Sequence, residues 1–272
     1  MNKQITLFLL FSCVISTAAL AQEFYRRENK YVDTAAFMIW ASPNYSIQSP
    51  LGNGYLSSTF KFNNNIGFDL TLKTQSNWTI DAVFNYMFGS KIKQSPKEIL
   101  GDMVIENIYP PPIFNVGGTN TGALTYEGRY LYLGASIGKL VPLDCWKNSG
   151  LLFKVGMGYF EHKIFFTDPK SLFPQILQKT HYRLGYDQHA SGIALTQFFG
   201  YLFMQQKRVL SFYVGIEAVE IFSKPDRGYI FVGKYAGPTN LLPRKFSGLL
   251  GIKIGWILPF YEKRRLTTWY TF

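Results

Sequence analysis

Ile66-Gly67-Phe68-Asp69-Leu70-Thr71-Leu72-Lys73, a break at residues 74–77, and then Trp78-Thr79-Ile80-Asp81-Ala82-Val83-Phe84-Asn85-Tyr86 decide the fold. In both runs a large apolar side chain is followed by Gly, Asp, Thr, Lys or Asn (only Val83 interrupts the rule). Successive side chains of a strand point to opposite faces, so each run is a strand with one apolar and one polar or small face. The short break between them reads as a hairpin turn. The same period returns in Leu210, Phe212, Val214, Ile216 and Ala218, and again in Leu250, Ile252, Ile254 and Trp256.

Extending this reading outward places eight strands at 34–41, 64–73, 78–88, 129–138, 151–160, 193–202, 209–219 and 247–258. The connections then alternate. Residues 42–63, 89–128, 161–192 and 220–246 form long loops, and residues 74–77, 139–150 and 203–208 form short turns. An even strand count, short turns at one end and long loops at the other are the plan of an outer-membrane barrel. The predicted fold is therefore all-β: an eight-stranded antiparallel transmembrane β-barrel with four long extracellular loops and both termini periplasmic. A secreted eight-stranded sandwich also explains the alternation, but not the one-sided loop lengths.

Composition agrees. Of 272 residues, 47% are hydrophobic, 17% aromatic and 17% charged, against roughly 25% charged in ordinary globular domains. A disordered chain needs the opposite balance, and two cysteines do not make a disulfide scaffold. Residues 1–21 carry Lys3, an apolar stretch and Ala19-Leu20-Ala21, the three regions of a secretory signal peptide. Cleavage there leaves Cys145 alone, so an internal disulfide is excluded. No later apolar run approaches the roughly 20 residues of a transmembrane helix. The expected organisation is a signal peptide at 1–21, a periplasmic segment at 22–33, the barrel at 34–260 and a short periplasmic tail at 261–272.

An eight-stranded barrel is filled by side chains. The strand parity turns Asp69, Asp81, Asn85, Arg129, Lys154, Glu217 and Lys253 inward, where charges must be mutually paired. It assigns Trp78, Tyr86, Tyr130, Tyr159, Tyr201 and Trp256 to an interfacial aromatic girdle. Lys253-Ile254-Gly255-Trp256-Ile257-Leu258-Pro259-Phe260 has the spacing of a terminal strand read by the assembly machinery, with Gly255, Leu258 and Phe260 as the read positions. Residues 266–272 end on an aromatic but carry Thr267 where the glycine belongs.

Three stretches carry a resemblance: the leader ending Ala19-Leu20-Ala21-Gln22, the segment from Gly185-Tyr186-Asp187 through Gly192-Ile193-Ala194-Leu195-Thr196-Gln197-Phe198, and Gly255-Trp256-Ile257-Leu258-Pro259-Phe260-Tyr261. The chain resembles small outer-membrane β-barrel proteins of the Bacteroidota type. That resemblance implies an eight-stranded barrel, in some cases accessory to a larger outer-membrane complex, and it transfers no catalytic residues.

His189-Ala190-Ser191 resembles the His-x-Ser pair of lipid A deacylases, and it falls at the outer mouth of the sixth strand. A serine nucleophile needs a base, and the base an orienting acid. Gly192 stands where the deacylase motif continues with Asn, and Glu217 is the first acid downstream. His162, His181 and His189 have no compact ligand spacing, so a metal site is not assigned. Residues 102–118, with Pro110, Pro111, Pro112, Gly117 and Gly118, lack a phosphate-loop lysine. No catalytic, cofactor-binding or metal residue is assigned, and no cofactor is expected.

Eight strands are too few for an aqueous porin, which needs about 16. The net charge of +11 is spread thinly, which disfavours a nucleic-acid partner. Lys224, Arg227, Lys234, Arg244 and Lys245 concentrate positive charge in the last long loop, opposite glycolipid phosphates. The expected function is an accessory or binding subunit of a larger outer-membrane complex, acting through its outer loops on partner proteins. A lipid-A-modifying enzyme using His189 and Ser191 is the alternative, and a membrane-stabilising barrel the third reading.

Overall fold

The computed structural model describes residues 37–90, 92–94, 98–99, 125–143, 148–167, 184–204 and 211–260. Residues 1–21, 22–33 and 261–272, Cys145, His181 and the proline loop at 102–118 lie outside them. The described chain forms β1 (Met38–Leu51), α1 (Tyr55–Thr59), β2 (Asn63–Lys73), β3 (Trp78–Ser90), β4 (Thr125–Pro142), β5 (Gly150–Thr167), β6 (Ala190–Phe203), β7 (Ser211–Pro225), a small hairpin β8 (Tyr229–Ile230) with β9 (Gly237–Pro238), and β10 (Lys245–Phe260). Eight of these strands close into one antiparallel barrel, in the order β1-β10-β7-β6-β5-β4-β3-β2. β10 pairs with β1 from Leu51↔Gly248 to Ile39↔Phe260, so closure needs no residue beyond Phe260.

The period-two pattern sorts the side chains radially. On β2, Ile66, Phe68 and Leu70 are exposed while Asn65, Asp69 and Thr71 are buried. The same inversion runs around the barrel: Val155, Met157, Ile216 and Ile252, the last 65% exposed, all point outward. Such a continuous apolar exterior far exceeds the few hundred Å² patches that soluble monomers show.

The connections keep their alternation. Residues 52–62, 91–124, 168–189 and 226–244 join strands at one end; residues 74–77, 143–149 and 204–210 join them at the other. Met38 and Phe260 both lie at the short-turn end. In the tightest turn Thr74 N–H donates to the Trp78 carbonyl at 2.8 Å, and Asn77 adopts φ 65°, a conformation Asn tolerates better than most residues.

Three expectations need correction. The first strand extends ten residues past Ala41 to Leu51, absorbing nearly half of the loop expected at 42–63. Ser42, Asn44, Ser46 and Gln48 face the lumen and Tyr45 and Ile47 face out, so the alternation is present but polar inside. Pro43 lacks a backbone N–H, and pairing with β10 lapses at 42–43 before resuming in register. Arg129 is outside the barrel, with its guanidinium 3.3 Å from the Phe165 ring centroid. Tyr130 is inside, 1% exposed, and donates to Asn63 Oδ1 at 3.0 Å, so it does not belong to the girdle. Both errors follow from one parity slip on β4, where apolar residues occupy both faces. Trp78, Tyr159 and Tyr201 do lie exposed on the exterior, as expected.

Candidate functional site

The lumen is filled in three layers. At the short-turn end Met38, Trp40, Leu140, Leu152, Leu202 and Ile257 pack into an apolar floor. At the long-loop end Phe60, just after α1, drops onto Tyr130 and Phe160 in a second apolar layer that also holds Leu56 and Ile164. Between them lie Asp69, Asp81, Glu217, Lys154 and Lys253, all inward as expected and all buried.

In this middle layer each carboxylate oxygen has a donor. Lys154 Nζ lies 2.7 Å from Asp81 Oδ1, which also accepts from Thr71, and Ser136 donates to Oδ2 at 2.9 Å. Lys253 Nζ lies 3.0 Å from Glu217 and 3.6 Å from Asp69. Gln48 donates to the second Glu217 oxygen at 2.7 Å. Asn44 and Tyr213 donate to the two Asp69 oxygens at 3.0 and 2.8 Å. Gly255 on β10 makes this possible: a Cβ there would stand 2.3 Å from the Tyr213 ring. Gly67 likewise leaves room for Asn44 and Asn85, whose Oδ1 atoms lie 2.4 and 2.0 Å from where its Cβ would be. The enclosed space, lined by Asp69, Lys154, Glu217 and Lys253 among others, is about 20 Å³, room for about one water. Paired and wrapped in this way, the charges form a structural plug.

The second cluster sits at the long-loop end of β5, β6 and β7. The β6–β7 register sets Ser191 opposite Lys224, two residues before Asp226. His189 and Ser191 thereby converge on Asp226: the His189 ring donates from Nδ1 to Oδ1, and Ser191 Oγ donates to Oδ2 at 2.8 Å. His189 Nε2 lies 3.7 Å from Glu161. Asp187 accepts the His189 backbone N–H at 3.1 Å and Arg227 at 3.1–3.2 Å, while its own carbonyl accepts from Ile164 N–H at 2.7 Å. Burial raises the Asp187 carboxyl above its usual value, and Arg227 opposes that shift.

The two residues expected as a pair are thus neighbours, joined by an acid that sequence reasoning did not assign to them. No local spacing links Asp226 to Ser191; only the strand register does. Yet the serine hydroxyl is committed to Asp226, not to the imidazole, so its proton does not face the base that a nucleophilic serine requires. His162 lies opposite Ala190 on the lumenal side of the cluster, 1% exposed and packed against Phe60 and Tyr130. Among the described residues no group of three His, Cys, Asp or Glu is arranged to hold a metal ion.

A third feature caps the same end. Tyr55 of α1 and Tyr235 meet edge-on at 4.6 Å, Lys245 Nζ lies 4.3 Å from the Tyr235 ring, and Tyr55 donates to the Pro243 carbonyl at 2.7 Å. Lys93 reaches the Ser57 carbonyl at 2.7 Å. Loops from three connections are therefore tied down over the lumen.

No family model matches the chain, and no curated protein matches it, so the Bacteroidota-type resemblance gains no support from them. Among solved structures it is similar to Ail, the attachment invasion locus protein of Yersinia pestis, in complex with the heparin analogue sucrose octasulfate, with 11% identity over 82% of this chain and 99% of that one and a TM-score of 0.41. Neisserial surface protein A gives 11%, 81%, 96% and 0.37, and the outer membrane protein OprG from Pseudomonas aeruginosa gives 10%, 84%, 99% and 0.36.

Proposed function

We propose that the chain is an outer-membrane barrel with its short turns in the periplasm, and that its filled lumen makes it a rigid mount for outer loops that bind a partner protein of a larger outer-membrane complex. One observation carries the reading. The closed barrel wears an apolar exterior, yet its lumen is blocked by two apolar layers and a saturated ionic one. A filled barrel offers no route through itself, so recognition falls to its ends, and the elaborated end is the one with α1, the β8–β9 hairpin and the tied loops. The basic groups there, among them Lys224, Arg227 and Lys245, suit the phosphates of outer-leaflet glycolipids. The leader at 1–21 supports export.

Protease added to intact cells is expected to cut within 91–124 or 226–244 and spare 143–149 and 204–210. A gentle detergent pull-down of the tagged full chain is expected to return a stoichiometric outer-membrane protein. Recovery as a soluble periplasmic protein would overturn the membrane reading, and recovery without any partner would overturn the binding role.

A second reading rests on the convergence of His189 and Ser191 on Asp226 at the outer end: hydrolysis of a lipid A acyl ester. The Ser191–Asp226 hydrogen bond weighs against it, and Ser191→Ala is expected to leave lipid A profiles unchanged at equal protein level. Loss of one acyl-chain processing step in that variant would install the enzyme reading.

A further inference from the structure

The outward face of β6 and β7 breaks the apolar rule of the exterior. Ile193, Phe199 and Tyr201 on β6, and Val214, Ile216 and Phe222 on β7, are exposed and apolar. Gln197 and Glu220 interrupt them, both on the outward side. Gln197 is in the middle of β6, and Glu220 has Phe222 between it and the loop end, so both lie within the belt. They meet each other poorly: Gln197 Nε2 to Glu220 Oε1 is 3.5 Å, the limit of a hydrogen bond. Among the described residues neither makes another hydrogen bond or ion pair.

One cross-strand neighbour of each is small, whereas Val155 stands opposite Gln197 and Leu195 opposite Glu220 on the other side. Ala218 is the small neighbour of Gln197, and Gly248 of β10 is that of Glu220. They leave a shallow notch that a second barrel wall can approach closely. Small residues with a polar side chain beside them are the usual composition of packed surfaces within lipid, because hydrocarbon offers the polar groups no partner.

The chemistry selects the occupant. Gln197 offers amide N–H donors and Glu220 offers acceptors, side by side at one depth. Two copies related by a two-fold axis along the membrane normal bring donor to acceptor twice, the self-complementarity that an isologous interface requires. An unrelated barrel would have to supply an acceptor and a donor at matching depth. We propose that this face is a two-fold interface between two copies of the chain, with Gln197 of each donating to Glu220 of the other. The proposal rests on the membrane reading above.

The full-length protein, extracted in mild detergent and placed in phospholipid nanodiscs, is expected to sediment as a dimer. Glu220→Leu and Gln197→Leu, both more apolar and so compatible with insertion, are each expected to weaken association at least tenfold while leaving the heat-modifiable gel shift intact. Wild-type protein that inserts but remains monomeric would overturn the interface and leave the membrane reading standing. A dimer unaffected by either variant, or association with a different protein through this face, would overturn it too. Protein that never enters the membrane would overturn both readings.

Discussion

The middle of the lumen and the outer rim of β5–β7 use the same residue types to opposite ends. In the lumen, Asp69, Asp81 and Glu217 are buried on strand interiors and every oxygen has its own donor. At the rim, Asp226 is 41% exposed, follows the end of β7, and divides its two oxygens between His189 and Ser191. The lumen layer sets three carboxylates against two ammonium groups and satisfies the remaining oxygens with neutral donors, so in its low dielectric any loss strands a partner. At the rim His189 and Asp187 are buried while Asp226 opens to water, so the contacts of Asp226 can exchange for water at smaller cost. Stability is therefore concentrated in the first region and adaptability in the second, on the same strands.

Lys253→Met is the sharpest way to break this contrast. It removes the ammonium shared by Glu217 and Asp69 without removing the acids. Leaving a buried charge unpaired costs roughly 3–5 kcal/mol, so the heat-modifiable species should shift to markedly lower urea. The same change at Arg129, which stacks outside on Phe165, should cost about 1 kcal/mol or less. Equal effects would mean that the lumen is hydrated and the layered plug is wrong.

Asp226→Ala comes next. It leaves the buried His189 ring without its acceptor, a loss of about 1–3 kcal/mol. That loss should be confined to the rim: faster proteolysis within 184–189 and 226–244, with an unchanged urea midpoint for the barrel. A global shift would show that the rim is continuous with the plug. Ser191→Ala removes one half-exposed hydrogen bond and should change neither measurement by more than about 0.5 kcal/mol.

The same contrast explains what was legible in the sequence. β2, β3, β7 and β10 are readable because over their central stretches the outward residues are apolar while Asp69, Asp81, Asn85, Glu217 and Lys253 mark the inward face. The inward placement of Asp69, Asp81, Lys154, Glu217 and Lys253 follows from that alternation. β4 was not readable in phase: Tyr130 and Tyr132 on one face and Leu131 and Leu133 on the other give no polar face to choose by, and the phase adopted put Arg129 inside. β1 runs on past the expected end at Ala41 because its inner face there is polar and because the barrel tolerates Pro43 by dropping one stretch of pairing. The rim was half legible. His189 and Ser191 share a local motif, but Asp226 joins them only through the β6–β7 register, which no spacing in the chain reveals.

The smallest effect concerns pH at the rim. Asp187 lies before β6, its carboxyl raised by burial above its ordinary value of 3.8, with Arg227 opposing. When the segment opens, water restores that ordinary value. The closed state therefore binds the proton more tightly than the open one, and protonation favours closure. This extra stability is fully present below the open-state value and is lost as pH rises through the raised one. Exchange of the Ile164 amide, which donates to the Asp187 carbonyl at 2.7 Å, reports the opening. Corrected for its intrinsic rate, opening should become rarer as pH falls from 7 toward 4. Asp187→Asn should abolish this trend, and Arg227→Gln should move it to higher pH, because the opposing cation is gone. Opening that becomes more frequent with acid would mean that the Arg227 ion pair outweighs burial, and the rim would then be held by charge, as the lumen is.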